Sequence, residues 1–125
     1  MASPDDRRYL PSHEWHKLDG DTVTIGISQH AVEELTDITF LDVTAEDAVT
    51  KGEAFGEIES VKATSELFAG VDGELVETNQ EVLDDPSIIN EDCYGKGWIL
   101  KVKPSDPGQL DDLLDSEAYE KQAGG

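Results

Sequence analysis

The chain has 125 residues, enough for one domain with a modest core. Its 29 acidic residues against 9 basic ones give a formal net charge of −20, which disfavours nucleic acid and anionic membrane surfaces as partners. Phosphate binding needs Lys and Arg to release counterions. No apolar run approaches the roughly 18 residues of a membrane span, and a lone cysteine forms no internal disulfide.

Residues 1–7 read as a loose polar tail without an apolar signal region, and Asp5 and Asp6 are out of place in an organellar transit peptide, so a cytoplasmic location is expected. Glu14 to Leu18 and Thr22 to Ile27 alternate as a β-hairpin around Asp19-Gly20-Asp21. Ser28 is a good N-cap for a short helix with Val32 and Leu35 on one side. Strands are expected over Ile38 to Val43, Glu53 to Ser60, Thr64 to Phe68 and Glu74 to Thr78, with loops at Ala45 to Ala48 and Gly70 to Gly73. Asp84 opens a short helical or looped stretch reaching Asn90, and Gly97 to Lys103 reads as the last strand. Asp106 and Pro107 then start a terminal helix whose apolar face is Leu110, Leu113 and Leu114. Trp15, Phe55, Phe68 and Trp98 are core candidates. Many short strands with glycine turns indicate a small β-sandwich or barrel.

The spacing of chemical groups speaks against an enzyme. His13 and His16 are three apart in a strand region, unlike paired zinc ligands on a helix, and no metal site is expected. Ser28 with His30 is explained by capping, and Cys93 beside Asp92 is not expected to form a reactive thiolate. One run stands apart. Gly56 to Glu66 holds Lys62, the only lysine or arginine between Lys51 and Lys96, at the turn between two strands. A lysine there is exposed and set on a stiff base, as a residue that another enzyme must find and modify has to be.

That run resembles the lipoylation site of the glycine cleavage system H-protein family. Pro11-Ser12-His13-Glu14-Trp15, Thr24 to Ala31, Asp72 to Asn79 and Ile89 to Ile99 are similar to four further blocks of the family, in its order. Gly70 and Cys93 depart from it, each standing where proline is expected. The resemblance implies a mainly β fold, a barrel-sandwich hybrid of two antiparallel sheets with short helices and a C-terminal helix. It implies a carrier, with lipoate joined covalently to Lys62. The arm would take the aminomethyl group of glycine from glycine decarboxylase to the aminomethyltransferase, and dihydrolipoyl dehydrogenase would reoxidise it. A lipoate ligase or lipoyl transferase would load it. Ser12, His13 and Glu14 are candidates for the edge of a cleft that shelters the arm, with Glu14 pairing the cationic cargo. Glu57, Glu59 and Glu66 are candidates for recognition by the lipoylating enzyme.

Two other readings share this scaffold: a relay donating lipoate to 2-oxoacid dehydrogenase subunits, and an unmodified acidic interaction module. The acidity itself has two explanations, a salt-rich cytoplasm that screens self-repulsion or attraction by basic surfaces of partner enzymes.

Overall fold

A computed structural model describes the backbone of residues 5–124 and the side chains to residue 122. The hairpin read from Asp19-Gly20-Asp21 is present. Strands β2 (Glu14–Asp19) and β3 (Thr22–Ile27) pair antiparallel with Asp19 opposite Thr22. Gly20 holds φ at +67°, the left-handed value that a tight two-residue loop requires at its first position. Across the same pair Trp15 faces Gly26, and its indole occupies the space a Cβ would need, with Cζ2 2.6 Å from that point.

The remaining strands are β1 (Arg8–Tyr9), β4 (Ile38–Val43), β5 (Ala48–Val49), β6 (Ala54–Ser60), β7 (Thr64–Phe68), β8 (Gly73–Thr78) and β9 (Leu100–Pro104). They form a six-stranded sheet in the order β1-β2-β3-β9-β8-β5 and a three-stranded sheet in the order β4-β6-β7, all pairs within them antiparallel. The inward rows of the two sheets meet in the main core. Val23, Ile25 and Val102 of one sheet and Phe55, Ile58 and Leu67 of the other are almost fully enclosed there. The expected architecture is therefore the observed one, two antiparallel sheets with short helices.

Helix α1 (Gln29–Leu35) starts where Ser28 was expected to cap it: the Ser28 hydroxyl accepts the Ala31 N–H, and Val32 and Leu35 are buried. Helix α3 (Ser87–Glu91) occupies the stretch read as helix or loop. Helix α2 (Gln80–Asp84) was not foreseen, because Val82 is its one buried residue and gives no period.

Three expectations need correction. Residues 1–4 of the expected tail lie outside the described residues, but the tail does not extend to residue 7. The Arg7 side chain is only 7% exposed, pairs with Asp6 at 2.8 Å, and lies over the rings of Trp15 (4.6 Å) and Tyr94 (5.3 Å). Stacking on two aromatic faces ties the chain down where composition suggested freedom. The last strand begins at Leu100 rather than Gly97; Trp98 before it is half-buried, like Phe68, while Trp15 and Phe55 are core.

The terminal helix is also different. Pro107–Asp112 is a 3-10 helix capped by Asp106, and Leu113 is already extended. Leu110 and Leu113 are three apart, a spacing that serves a 3-10 turn as well as an α-helix. Leu114 leaves the helix to bridge Tyr9, exchanging both backbone hydrogen bonds (2.8 and 2.9 Å). The true C-terminal helix, α4 (Ser116–Gly124), follows, with the Asp115 carboxylate accepting the Ala118 N–H. Its anchor is Tyr119, stacked on Tyr9 at 4.5 Å in a second cluster with Trp15.

Candidate functional site

Lys62 stands at the tip of the β6–β7 hairpin, beyond the last strand pair, Glu59 with Thr64. It is exposed, and so are its neighbours Val61 and Ala63. The tip is nonetheless pinned. The Ser60 hydroxyl accepts the N–H of Lys62 (3.1 Å) and of Ala63 (3.0 Å) and donates to the Ala63 carbonyl (3.1 Å). The Val61 N–H reaches across to the Asp37 carbonyl at 3.1 Å, binding the turn to the residue before β4. A flexible side chain thus rises from a fixed backbone. Ser60 was not singled out in the sequence, although a serine two residues before the tip residue is a known signal for a side-chain-stabilised turn.

Glu57 and Glu66 face each other directly across β6 and β7, and Asp42 on β4 continues the row on the other side of Glu57. All three are exposed. Glu59 sits two pairs nearer the tip, opposite Phe40, which is 49% exposed. The three glutamates expected to mark the hairpin therefore share the outer face of the small sheet. Like charges set directly opposite each other oppose strand pairing, so fold stability does not account for this row.

On the inner side of the same hairpin lies a cavity of about 60 Å³. Its floor is apolar: Ile27 of β3, Ala31 and Leu35 of α1, and Ile58 and Leu67 of the small sheet. Its rim is polar: Ser12, His13, Glu34, Ser65 and Glu66. The Ile58–Ser65 pair is two residues below the turn, roughly 7 Å along the strand, so the cavity is within reach of a long side chain from the tip. Glu34, on the exposed side of α1, was missed in the sequence; only the turn of that helix beneath the hairpin brings it here.

The three residues expected at the cleft edge separate. Ser12 and His13 line the cavity, whereas Glu14 does not. Glu14 is 1% exposed, and both of its oxygens are engaged: Oε1 accepts from the Ser12 hydroxyl (2.5 Å) and Oε2 from the Phe68 N–H (2.8 Å). Burial pushes its pKa up, opposed by those two bonds. It clasps the end of β7 to β2 and carries the rim residue Ser12. His13 has φ +86°, a left-handed value rare outside glycine. Two backbone bonds of 2.9 Å hold it there, its N–H to Leu10 and its carbonyl from Ser28. Burial lowers its pKa, while Glu34, 3.6 Å from Nε2, raises it.

Among the described residues no group of three or more His, Cys, Asp and Glu side chains is placed to hold a metal ion, and no helix is long and apolar enough to cross a membrane. Cys93 is buried, and its pKa is pushed up to about 11 by burial first, with Asp92 a smaller contributor than the sequence suggested.

The family model described as glycine cleavage H-protein matches residues 7–124. The glycine cleavage system H protein of Staphylococcus carnosus (strain TM300) is 48% identical over 125 residues, 99% of each chain. That of Vibrio parahaemolyticus serotype O3:K6 is 54% identical over 114 residues, 90% of each. The crystal structure of a glycine cleavage system H protein from Mycobacterium marinum superposes with a TM-score of 0.88 at 38% identity, covering 98% of this chain and 99% of that one. Matched from before its first strand to its last helix, in sequence and in fold, this chain belongs to the glycine cleavage H-protein family.

Proposed function

We propose that Lys62 is the residue on which this chain carries lipoate, and that the cavity beneath the hairpin shelters the loaded end of the arm. Family membership makes the chain the lipoyl carrier of the glycine cleavage system, a carrier and not an enzyme. The observation that carries the Lys62 assignment is its place: a solitary cation, exposed on a hairpin tip whose backbone Ser60 holds still. The residues present fit a lipoyl group. The apolar floor suits a hydrocarbon chain, and the carboxylate of Glu34 on the rim suits a cationic end. When bound, lipoate supplies a disulfide ring that takes up a carbon fragment and two electrons.

This chain's own residues do the rest. Lys62 presents its amine to a loading enzyme, a lipoate ligase or lipoyl transferase. Glu57, Glu59 and Glu66 mark the hairpin for that enzyme through a row of charge. Ile27, Ile58 and Leu67 exclude water from the cavity. Glu14 holds β7 against β2 so that the rim keeps its shape. The partners are glycine decarboxylase, the aminomethyltransferase and dihydrolipoyl dehydrogenase, met in the cytoplasm.

Peptide mass analysis of the protein from its native host tests the site. A lipoyl adduct on the peptide containing Lys62, lost in Lys62→Ala while circular dichroism stays unchanged, is the expected result. An adduct on another lysine, or none in a host with an active pathway, rejects it.

A further inference from the structure

We propose that Tyr119, on the C-terminal helix, is a positioning residue for the cavity: its hydroxyl closes a one-way chain of hydrogen bonds that holds His13 as the neutral Nε2–H tautomer, with Nε2 turned toward Glu34. This rests on the reading of the cavity as the shelter of the arm. The chain starts at the cap of α1. The Ala31 N–H donates to Ser28 Oγ (3.4 Å), Ser28 Oγ lies 2.5 Å from the Tyr119 hydroxyl, and that hydroxyl lies 2.5 Å from His13 Nδ1. Each hydroxyl has one proton to give, so the direction is decided at the ends. If His13 donated to Tyr119 and Tyr119 to Ser28, the Ser28 proton would need an acceptor of its own. Ser28 is fully buried, and the hydrogen bonds of its hydroxyl among the described residues are those to Tyr119 and Ala31 alone. If Ser28 and His13 both donated to Tyr119, the Tyr119 proton would lack an acceptor among these contacts, so the proton runs outward, from Ser28 to Tyr119 and from Tyr119 to His13 Nδ1. That nitrogen is an acceptor, and the imidazole proton is left on Nε2.

The backbone supports the same assignment. His13 is held at φ +86° by a bond between its carbonyl and the N–H of Ser28, the residue that begins the chain of hydroxyls. Strained backbone of this kind persists where the surroundings over-determine it. The charged groups around His13 come from three elements. Glu34 and His30 face it from α1, His30 pairs with Glu120 of α4 at 3.1 Å, and Glu66 of β7 shares the cavity. A neutral His13 leaves Glu34 as net negative charge at the mouth, which favours a cationic amine. A protonated His13 cancels part of it. The C-terminal helix thereby sets the charge of a cavity it does not line.

Imidazole nitrogen NMR on the unlipoylated protein is the direct test, because it needs no cofactor. The wild type should show His13 as Nε2–H at neutral pH. Tyr119→Phe keeps the ring stacked on Tyr9 and removes only the hydroxyl; it should mix the tautomers and move the His13 titration to higher pH, since a donor to the neutral ring is gone. In the lipoylated protein the same variant should lose its aminomethyl cargo to water several-fold faster. An Nδ1–H tautomer in the wild type, or an unchanged one in Tyr119→Phe, overturns the proposal. So does a shifted tautomer with unchanged cargo loss. Should Tyr119→Phe not fold, Ser28→Ala breaks the chain from its other end, and the same outcomes apply. The carrier reading fails separately, through the mass of the Lys62 peptide.

Discussion

His16 shows how far a single side chain can depart from its place in a pattern. In an alternating strand, Glu14 and His16 read as the solvated face opposite Trp15. The structure buries all three, because the end of β7 and the residues after it cover that face. His16 Nε2 accepts the Gly70 N–H at 2.9 Å, and Nδ1 has no hydrogen-bond partner among the described residues. Burial holds its pKa down to about 4. The unfolded chain then binds a proton that the native chain refuses, between the ordinary histidine value and about 4. Its contribution is complete above the unfolded pKa and is lost as pH falls through that window, amounting to about 3 kcal/mol. The stability difference between wild type and His16→Gln should shrink by about that amount between pH 7 and pH 4, measured by urea unfolding; a constant difference would mean that His16 takes up its proton in the folded state. The same contact bears on position 70, where proline is expected from the sequence. Proline at position 70 has no N–H to give, so Gly70→Pro should strand the His16 acceptor and cost about 1–3 kcal/mol. Gly70→Ala keeps the N–H, and its methyl meets the side-chain ends of Leu113 at 2.9 Å and His16 Nε2 at 3.2 Å, so it should cost less. Equal losses in the two variants would reject the hydrogen bond as the cause.

Among elements, the β6–β7 hairpin was the most legible and α4 the least. The hairpin announced itself through alternation on both arms, glycine before the first, and a single cation at the turn. What the sequence hid was the third dimension: that Glu57 and Glu66 are direct partners, and that Ser60 ties the tip. Register and side-chain turns depend on the loop geometry, which residue types alone do not give. Helix α4 was hidden for another reason. Its one buried anchor, Tyr119, makes no period, so its position is set by stacking on Tyr9 and by the β-bridge of Leu114. The cavity was half legible: Ser12 and His13 come from one motif, but Glu34 joins them only through the packing of α1. Two outcomes follow for the hairpin. Ser60→Ala removes the bonds that fix Lys62 and Ala63 without touching a core residue; melting should change little, while the rate of lipoylation falls several-fold. Undiminished lipoylation would show that the loading enzyme shapes the tip itself. Glu66→Gln relieves the repulsion with Glu57, and cross-strand pairs are worth about 0.2–1 kcal/mol. A slightly higher melting temperature with slower lipoylation is expected, and a lower melting temperature would contradict the view that the acidic row opposes pairing.

At the scale of the whole molecule the charge is the dominant property. Twenty-nine acidic groups face nine basic ones, and the ion pairs among the described residues are few, some local, such as Arg7 with Asp6 and Lys121 with Glu117, and others joining distant segments, such as Lys51 with Asp112. Most carboxylates lie on the surface without a cation beside them, and the outer face of the small sheet carries an uncompensated row. The native state is compact, so it suffers this repulsion more than an expanded chain does. Salt shortens the range of the repulsion from about 30 Å at 0.01 M to about 3 Å at 1 M. If the charge is an adaptation to salt, the melting temperature should climb steadily as potassium chloride rises across that range. Potassium chloride is the right titrant, because sulfate would add surface exclusion to screening. Glu66→Gln provides an internal check: its advantage over wild type should be largest in dilute buffer and fade as salt screens the Glu57–Glu66 pair. A melting temperature flat from dilute to molar salt would reject salt adaptation. The acidity would then serve recognition, with the row beside Lys62 as the part that partner enzymes read.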